Sequence, residues 1–414
     1  MSKIIRVLIY LLIFLIPWQT RLILRSGVLN GGNWEYGIVG VYATEILLWL
    51  ILLFFVLDGG LRNQQFSKKI KTIFLIVLIF SLINFLIAPD KLIFAQQLLH
   101  IIEVGILIWL VKKNNLNQLI LFWSFIGGLV LQALLGINQF LLQTTFASRW
   151  LGLTLHNPSI SGSSILENWD GRWLRAYGGM PHPNVLGGYL ALGILINIFF
   201  LALYLNDKKQ RLLALVNLGI LTLALFFTFS RSAWLSLFVG LAVLAIGLWR
   251  TNKERLIKVF SALVLLILMF SVLSFIYNPL VFGRVTGEGR LEAQSNMERL
   301  SGYNEAAQLF KKNIFWGVGL GNYTLAAHNQ VDDSKGAWDY QPVHNVLILA
   351  LVELGVIGFL ILFWLIRSFN YKGGWMWLAF LPILFLDHYL WSSWAGWLLI
   401  CILFLSFIKT KTNP

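Results

Sequence analysis

Twelve long apolar runs, divided by short polar connections, leave this chain few ways to fold. Hydrocarbon offers the backbone no hydrogen-bond partners, so each run of roughly 20 apolar residues must satisfy its own peptide groups as a helix. A membrane β-barrel would show short alternating segments, and none is visible. The runs lie at about 4–19, 36–57, 72–88, 92–111, 118–142, 184–204, 212–229, 233–249, 259–277, 344–366, 374–388 and 394–408. The predicted fold class is therefore all-α: a polytopic transmembrane helix bundle of about twelve spans, with 1–414 as a single transmembrane domain. Composition agrees, since 58% of residues are hydrophobic and 12% charged, against about a quarter charged in soluble domains. The single cysteine, Cys401, lies within an apolar run. It reads as packing and excludes a disulfide framework or a thiolate metal cluster.

Charge sets the expected orientation. Lys3 and Arg6 precede the first run as in a signal peptide, but no small-residue cleavage site follows, so an uncleaved helix is predicted. With the N-terminus in the cytoplasm, Arg62, Lys68, Lys69, Lys71, Lys112, Lys113, Lys208, Lys209, Arg211, Arg250, Lys253, Arg255, Lys258, Arg367, Lys372, Lys409 and Lys411 all fall inside. That pattern is the positive-inside rule. An even number of spans makes both termini cytoplasmic and the protein a multi-pass component of the cytoplasmic membrane. The net charge of +14 is thus topological, since no soluble basic run interleaves with aromatics to suggest nucleic acid.

The basic residues left outside are different in kind. Arg21, Arg25, Arg149, Arg172, Arg175, Arg231, Arg284, Arg290 and Arg299 outnumber Lys91, Lys311, Lys312 and Lys335. A guanidinium is a rigid donor fork suited to phosphate, whereas lysine is a solvated point charge sufficient for topology. The bland alternative is a headgroup-facing surface. Two outer segments, 143–183 and 278–343, are too long to be simple connections, and long ordered loops usually carry function. The second is predicted to be partly helical over Asn296 to Lys312, ahead of a turn-rich stretch from Gly317 to Tyr323. No internal repeat or low-complexity tract is present.

Three constellations sit at the outer ends of inward-running helices, where unpaired N–H groups favour anions. In the first, Arg175 to Asn184 (RAYGGMPHPN) leads into the sixth run, with Asn184 as expected N-cap, His182 beside it, and Gly178 and Gly179 free for close backbone approach to a ligand. A Pro/Gly turn with a capping residue is the structural alternative. The second, Ser230-Arg231-Ser232, is the only polar break between about 212 and 249, so Arg231 marks a hairpin at the outer interface; the alternative is a snorkelling arginine. The third is His344-Asn345 at the start of the tenth run. In a continuous helix Gly355 and, nearly, Gly358 share the His344 face, with Glu353 opposite. A neutral histidine there suits a general base.

Weaker signals remain. Glu45, His100 and Glu103 fall inside spans, the last two at i, i+3, and read as an internal ion or hydrogen-bonded pair fixing the bundle, with intramembrane function as the alternative. Asp387-His388 at the last outer turn either joins the site or caps it. Gly317 to Gly321 (GVGLG) follows no strand, so a dinucleotide fingerprint is unsupported. No zinc-type spacing is present, and neither metal nor cofactor is expected.

In this order, the Arg175 to Asn184 turn, SRSAWLSL with Arg231 and Leu235 in R-x-x-x-L spacing, ERLSGYNEAAQLFKKNIFWGVGLGNY, and HNVLILALVELGVIG resemble the O-antigen ligase and O-antigen polymerase superfamily of bacterial membrane glycosyltransferases. The similarity spans roughly residues 170–400. It implies an enzyme that passes a glycan from an undecaprenyl diphosphate carrier to an acceptor hydroxyl (lipid A core, a glycan or another acceptor) outside the cytoplasmic membrane, without metal and with inversion. By resemblance Arg175, Arg231 and Arg299 hold the diphosphate and His344 handles the acceptor, supported by His182, Asn184, Asn345, Gly355 and Asp387. A polymerase joining lipid-linked repeats is the nearest alternative. A lipid-linked-sugar transporter is disfavoured because its contacts would lie near the midplane on repeated broken helices, and a purely structural membrane partner is disfavoured by the outer arginines.

Overall fold

The computed structural model describes residues 2–62, 67–168, 171–249, 253–287, 290–368 and 374–406. Of the expected cytoplasmic cations, Arg250, Lys372, Lys409 and Lys411 lie outside the described residues. Helix α1 (Ser2–Leu15) stops short of Pro17, whose ring and missing N–H exclude it from a helix interior, so the first run is helical over less than 4–19. Next come strands β1 (Arg21–Arg25), β2 (Val28–Leu29), β3 (Gly32–Asn33) and β4 (Val39–Tyr42), then helix α2 (Ala43–Leu57). The second run, expected to be helical from 36, is thus helical only from 43. Alternating glycine and β-branched residues in Gly-Ile-Val-Gly-Val favour extended backbone, and β4 pairs antiparallel with β1. β2 and β3 close around Asn30 and Gly31, both at positive φ (48° and 73°), as a two-residue hairpin turn requires.

Helices α3 (Lys68–Ile87), α4 (Lys91–Lys113) and α5 (Gln118–Leu142) follow. Ser67, Asp90 and Asn117 cap them, each side-chain oxygen accepting first-turn N–H groups. The 143–183 segment carries the hairpin β5 (Ile165–Asn168) and β6 (Gly171–Leu174). Four long helices come next: α6 (Pro183–Leu203), α7 (Lys208–Phe227), α8 (Arg231–Trp249) and α9 (Lys253–Ile276). The 278–343 segment is itself helical, with α10 (Asn278–Thr286), α11 (Arg290–Lys312) and α12 (Tyr323–Gln330). The chain ends with α13 (Val346–Ser368), a 3-10 stretch over Gly374–Phe380, α14 (Leu381–Leu386), α15 (Tyr389–Ser392) and α16 (Trp394–Ser406).

Among the described residues eight helices, α3 to α9 and α13, are long and apolar enough to cross a membrane, and the other apolar helices are shorter. The fold is an all-α polytopic bundle. Its centre is α6, buried along nearly its whole length and packed against α5, α7, α8, α9 and α16. An all-round apolar helix belongs in that place. Around the outside, α3 exposes Phe74, Leu78, Leu82 and Leu86, and α9 exposes Phe260, Val264, Leu268 and Phe275. Each such side chain left in water forgoes about 1.5–3 kcal/mol, so these faces require lipid.

Contacts sort the connections into two ends. The Asn30 amide donates to the carbonyls of Asp333 and Lys335, Arg25 pairs with Asp90 at 2.8 Å, and Asn322 exchanges hydrogen bonds with the Asp90 backbone. Those residues come from three connections that the charge pattern assigns to one side. At the opposite end the Lys69 ammonium donates to the Ser368 carbonyl.

Candidate active site

The turn between α7 and α8 organises the site. Phe229 holds a positive φ of 47°, rare for a bulky residue, so the chain reverses sharply at Thr228-Phe229. Two consecutive carbonyls of that turn each accept a guanidinium: Thr228 O from Arg175 Nε at 2.7 Å, and Phe229 O from Arg284 Nε at 3.0 Å. Arg231, the first residue of α8, donates to the Arg284 carbonyl at 3.2 Å. Three arginines from three segments thus converge on one turn.

Arg175 is buried and committed on every side. Nη1 donates to Ser164 Oγ at 2.8 Å and Nη2 to Asn184 Oδ1 at 2.6 Å. Asn184 passes the connection on through Nδ2 to Asp387 Oδ1 at 2.9 Å, and Asp387 Oδ2 accepts from Ser232 Oγ at 2.5 Å. Asn184 is therefore a bridge and not the expected N-cap. His182 caps α6 instead, its Nδ1 accepting the Asn184 N–H at 3.1 Å, because Pro183 takes the first helical position where no N–H is needed. That bond leaves the proton of the neutral imidazole on Nε2.

Gly178 and Gly179 likewise differ from expectation. Their N–H groups are held by Gln139 Oε1 (2.8 Å) and Gln132 Oε1 (2.5 Å) of α5, and a Cβ on Gly178 (φ 57°) would stand 3.0 Å from Gln132. Their smallness seats the turn on α5, not on a ligand.

The histidines gather beside Asp387. The rings of His344 and His388 meet edge to face at 5.0 Å, and His388 Nδ1 lies 2.7 Å from Ser392 Oγ. His344 Nδ1 and Arg299 Nε, the latter brought in by α11, are both buried with no hydrogen-bond partner among the described residues. Burial depresses the His344 pKa below 6.5, Asp387 opposes that shift, and Arg299 adds to it. His388 is pushed further down by burial, then by His344 and Arg299. His182 falls well below 6.5 through enclosure by protein and then the field of Arg175, His344, His388 and Arg284. At neutral pH the cluster offers neutral imidazoles beside fixed cations. Asn345 caps α13, accepting from the N–H groups of Leu347 (3.0 Å) and Ile348 (3.1 Å).

Residues 216–363 match the family model described as O-antigen ligase. Over that segment the chain is similar to the O-antigen ligase family. Together with the apolar helices, the match supports a multi-pass membrane protein of ligase-like, glycosyltransferase type. No curated protein matches it. The matched segment contains Arg231, Arg284, Arg299 and His344. Arg175, His182, Asn184 and Asp387 join it from outside the match.

One further segment is positioned by a broken helix. Gly355 in α13 adopts φ 64°, ψ −178°, so the helix does not run through it and the expected alignment of Gly355 with His344 fails. Backbone groups released by the break are paired by the preceding loop. Val318 N and Gly319 N donate to Val352 O and Glu353 O at 3.0 Å, while Val356 N and Ile357 N donate to Ile314 O (2.8 Å) and Phe315 O (3.2 Å). Such non-helical backbone is tolerated within a span only when protein covers it. The GVGLG stretch supplies that cover: a Cβ on Gly317 would meet Glu353 O at 2.3 Å. Glu353 is buried, accepting from Trp391 Nε1 at 2.7 Å, and Asn84 of α3 pins the loop through Trp316 O and Leu320 N.

Arg284 was not singled out from the sequence as a site residue, whereas Asp387-His388 was read as either joining the site or capping it and Ser232 was named only as a neighbour of Arg231. Arg284 had only its outer address as a signal.

Proposed function

We propose that this O-antigen ligase superfamily member transfers a glycan from an undecaprenyl diphosphate carrier to an acceptor hydroxyl at the outer face of the cytoplasmic membrane. The observation that carries the reading is the convergence of Arg175, Arg231, Arg284 and Arg299 with His344 around the start of α8. The acceptor oxygen attacks the anomeric carbon, its proton passes to His344, and the carbon–oxygen bond to the diphosphate breaks with its electron pair leaving on phosphate. A single displacement inverts the anomeric centre. Charge growing on the diphosphate is met by guanidinium groups and the α8 N-terminus, a fixed field that needs no reorganisation and no metal. Arg231 and Arg299 contact the diphosphate in this scheme; Arg175, wholly engaged with the protein, acts through its field and by holding Asn184.

The test is transfer in proteoliposomes supplied with a purified lipid diphosphate glycan and a hydroxyl acceptor. Product on the acceptor with release of the lipid diphosphate supports the ligase reading. A length ladder retained on the lipid carrier replaces it with the polymerase reading, and movement of unaltered donor across the bilayer overturns both.

The lowered pKa of His344 fixes a pH dependence. The imidazole is neutral above its pKa, so the rate falls as pH drops through a value under 6.5. Arg299 disfavours the imidazolium, so Arg299→Gln raises the His344 pKa and moves the acid limb to higher pH. A pH–rate profile of the variant with an unmoved limb would remove His344 as the base.

A further inference from the structure

A second cluster of chemistry lies away from the arginines. Glu45 in the first turn of α2 meets His100 and Glu103 of α4, their ligand atoms lying within 4.8 Å of one another and all three side chains being almost completely buried. Sequence spacing gave only the His100/Glu103 half, because Glu45 arrives from a different helix. Each carboxylate is anchored by one oxygen: Glu45 Oε2 accepts the Tyr42 N–H at 2.5 Å, and Glu103 Oε1 accepts from Trp49 Nε1 at 2.5 Å. Supporting donors of this kind orient metal-binding carboxylates.

The inward atoms are left over. Glu103 Oε2 and both nitrogens of His100 are buried without a hydrogen-bond partner among the described residues. Glu45 Oε1 stands 3.4 Å from His100 Nε2. That gap is long for a direct hydrogen bond, yet two ligands each about 2.0–2.1 Å from a tetrahedral cation lie about 3.4 Å apart. Charge is consistent with such an ion: burial and mutual repulsion disfavour ionising both carboxylates, a cost that one divalent cation between them would offset and a single imidazolium would offset only in part.

We propose that Glu45, His100 and Glu103 bind one first-row divalent cation of the Zn2+ class, with the aromatic rings of Tyr42 and Trp394 against His100 closing the site. Imidazole and carboxylate oxygen together form a donor set of zinc type. The ion ties α2 to α4 and takes no part in glycosyl transfer.

The test uses the full chain in detergent, stripped with chelator, incubated with Zn2+ and desalted. Wild type is expected to retain about one zinc per chain, to melt several degrees higher when loaded, and to give visible d–d absorption when Co2+ replaces Zn2+. His100→Gln and Glu103→Gln are expected to lose the retained metal and the shift. If a variant fails to fold, stoichiometry and zinc-dependent melting of the wild type decide alone. Wild type that retains no zinc, or whose melting is unchanged by zinc, overturns the proposal. So does a Glu103→Gln variant as stable without metal as the loaded wild type, because a proton-sharing cluster would behave that way. None of these readings depends on transferase activity.

Discussion

Arg231→Ala is expected to lower glycan transfer by about 100- to 1000-fold, the range for removing one fixed donor from a developing anion. His344→Ala is expected to lower it by about 100- to 10,000-fold, as for loss of a general base. The two losses should combine to less than their product, because both groups serve one transition state. Arg231 begins α8 and donates to the Arg284 carbonyl, so its removal also loosens the second arginine on the same turn. His344 differs, since its Nδ1 has no protein partner to lose among the described residues. Its variant should therefore melt like wild type while losing activity. Initial rates in proteoliposomes, with melting temperatures alongside, separate chemistry from folding. Full transfer by both variants in a stably inserted state would refute the mechanism.

The second large effect is on stability. Gly355→Ala places a Cβ 2.4 Å from Phe315 O and 2.5 Å from Gly317 N. It also forces alanine into φ 64°, ψ −178°, a region that only glycine occupies without strain. A loss of roughly 3 kcal/mol or more is expected, seen as a lower melting temperature or lost folded yield. Glycine inside an uninterrupted helix behaves oppositely, since alanine there adds roughly 0.5–1 kcal/mol of stability. The sign of the change thus reports whether α13 is broken in the membrane, and a stabilised Gly355→Ala variant would restore the continuous helix.

These two sites also mark where sequence reading was sufficient and where it was not. The helices were legible because lipid imposes a local rule, with each apolar run satisfying its own backbone. Arg231 and His344 were legible as positions because they lie at or beside a helix start, and Arg175 because it opens the turn leading to α6, all in connections that the charge pattern assigns to the outside. Their surroundings were not, since Thr228 O meets Arg175, the Arg284 carbonyl meets Arg231 and the Asp387 charge acts on His344 only through tertiary packing. The alignment of Gly355 with His344 assumed constant helical rotation, and one residue with non-helical angles cancels it. Two local signals were present and passed over. Pro183 at the first helical position points to His182 as the cap, and Asn30-Gly31 is a strong two-residue hairpin signal within a run otherwise judged by hydrophobicity.

The Asp387 bridge also bears on how the molecule is made. It joins Asn184 and Ser232, which precede it by 203 and 155 positions. At ribosomal rates of about 5–20 residues per second, roughly 10–40 s separate synthesis of Asn184 from that of Asp387. From the synthesis of Ser232 until that of Asp387 the growing chain holds Arg175 and Arg231 but lacks the carboxylate that bridges α6 and α8. An unfinished polypeptide in the bilayer therefore lacks the bridge that ties α6 to α8, and under the proposed function transfer is expected only after the final helices have inserted.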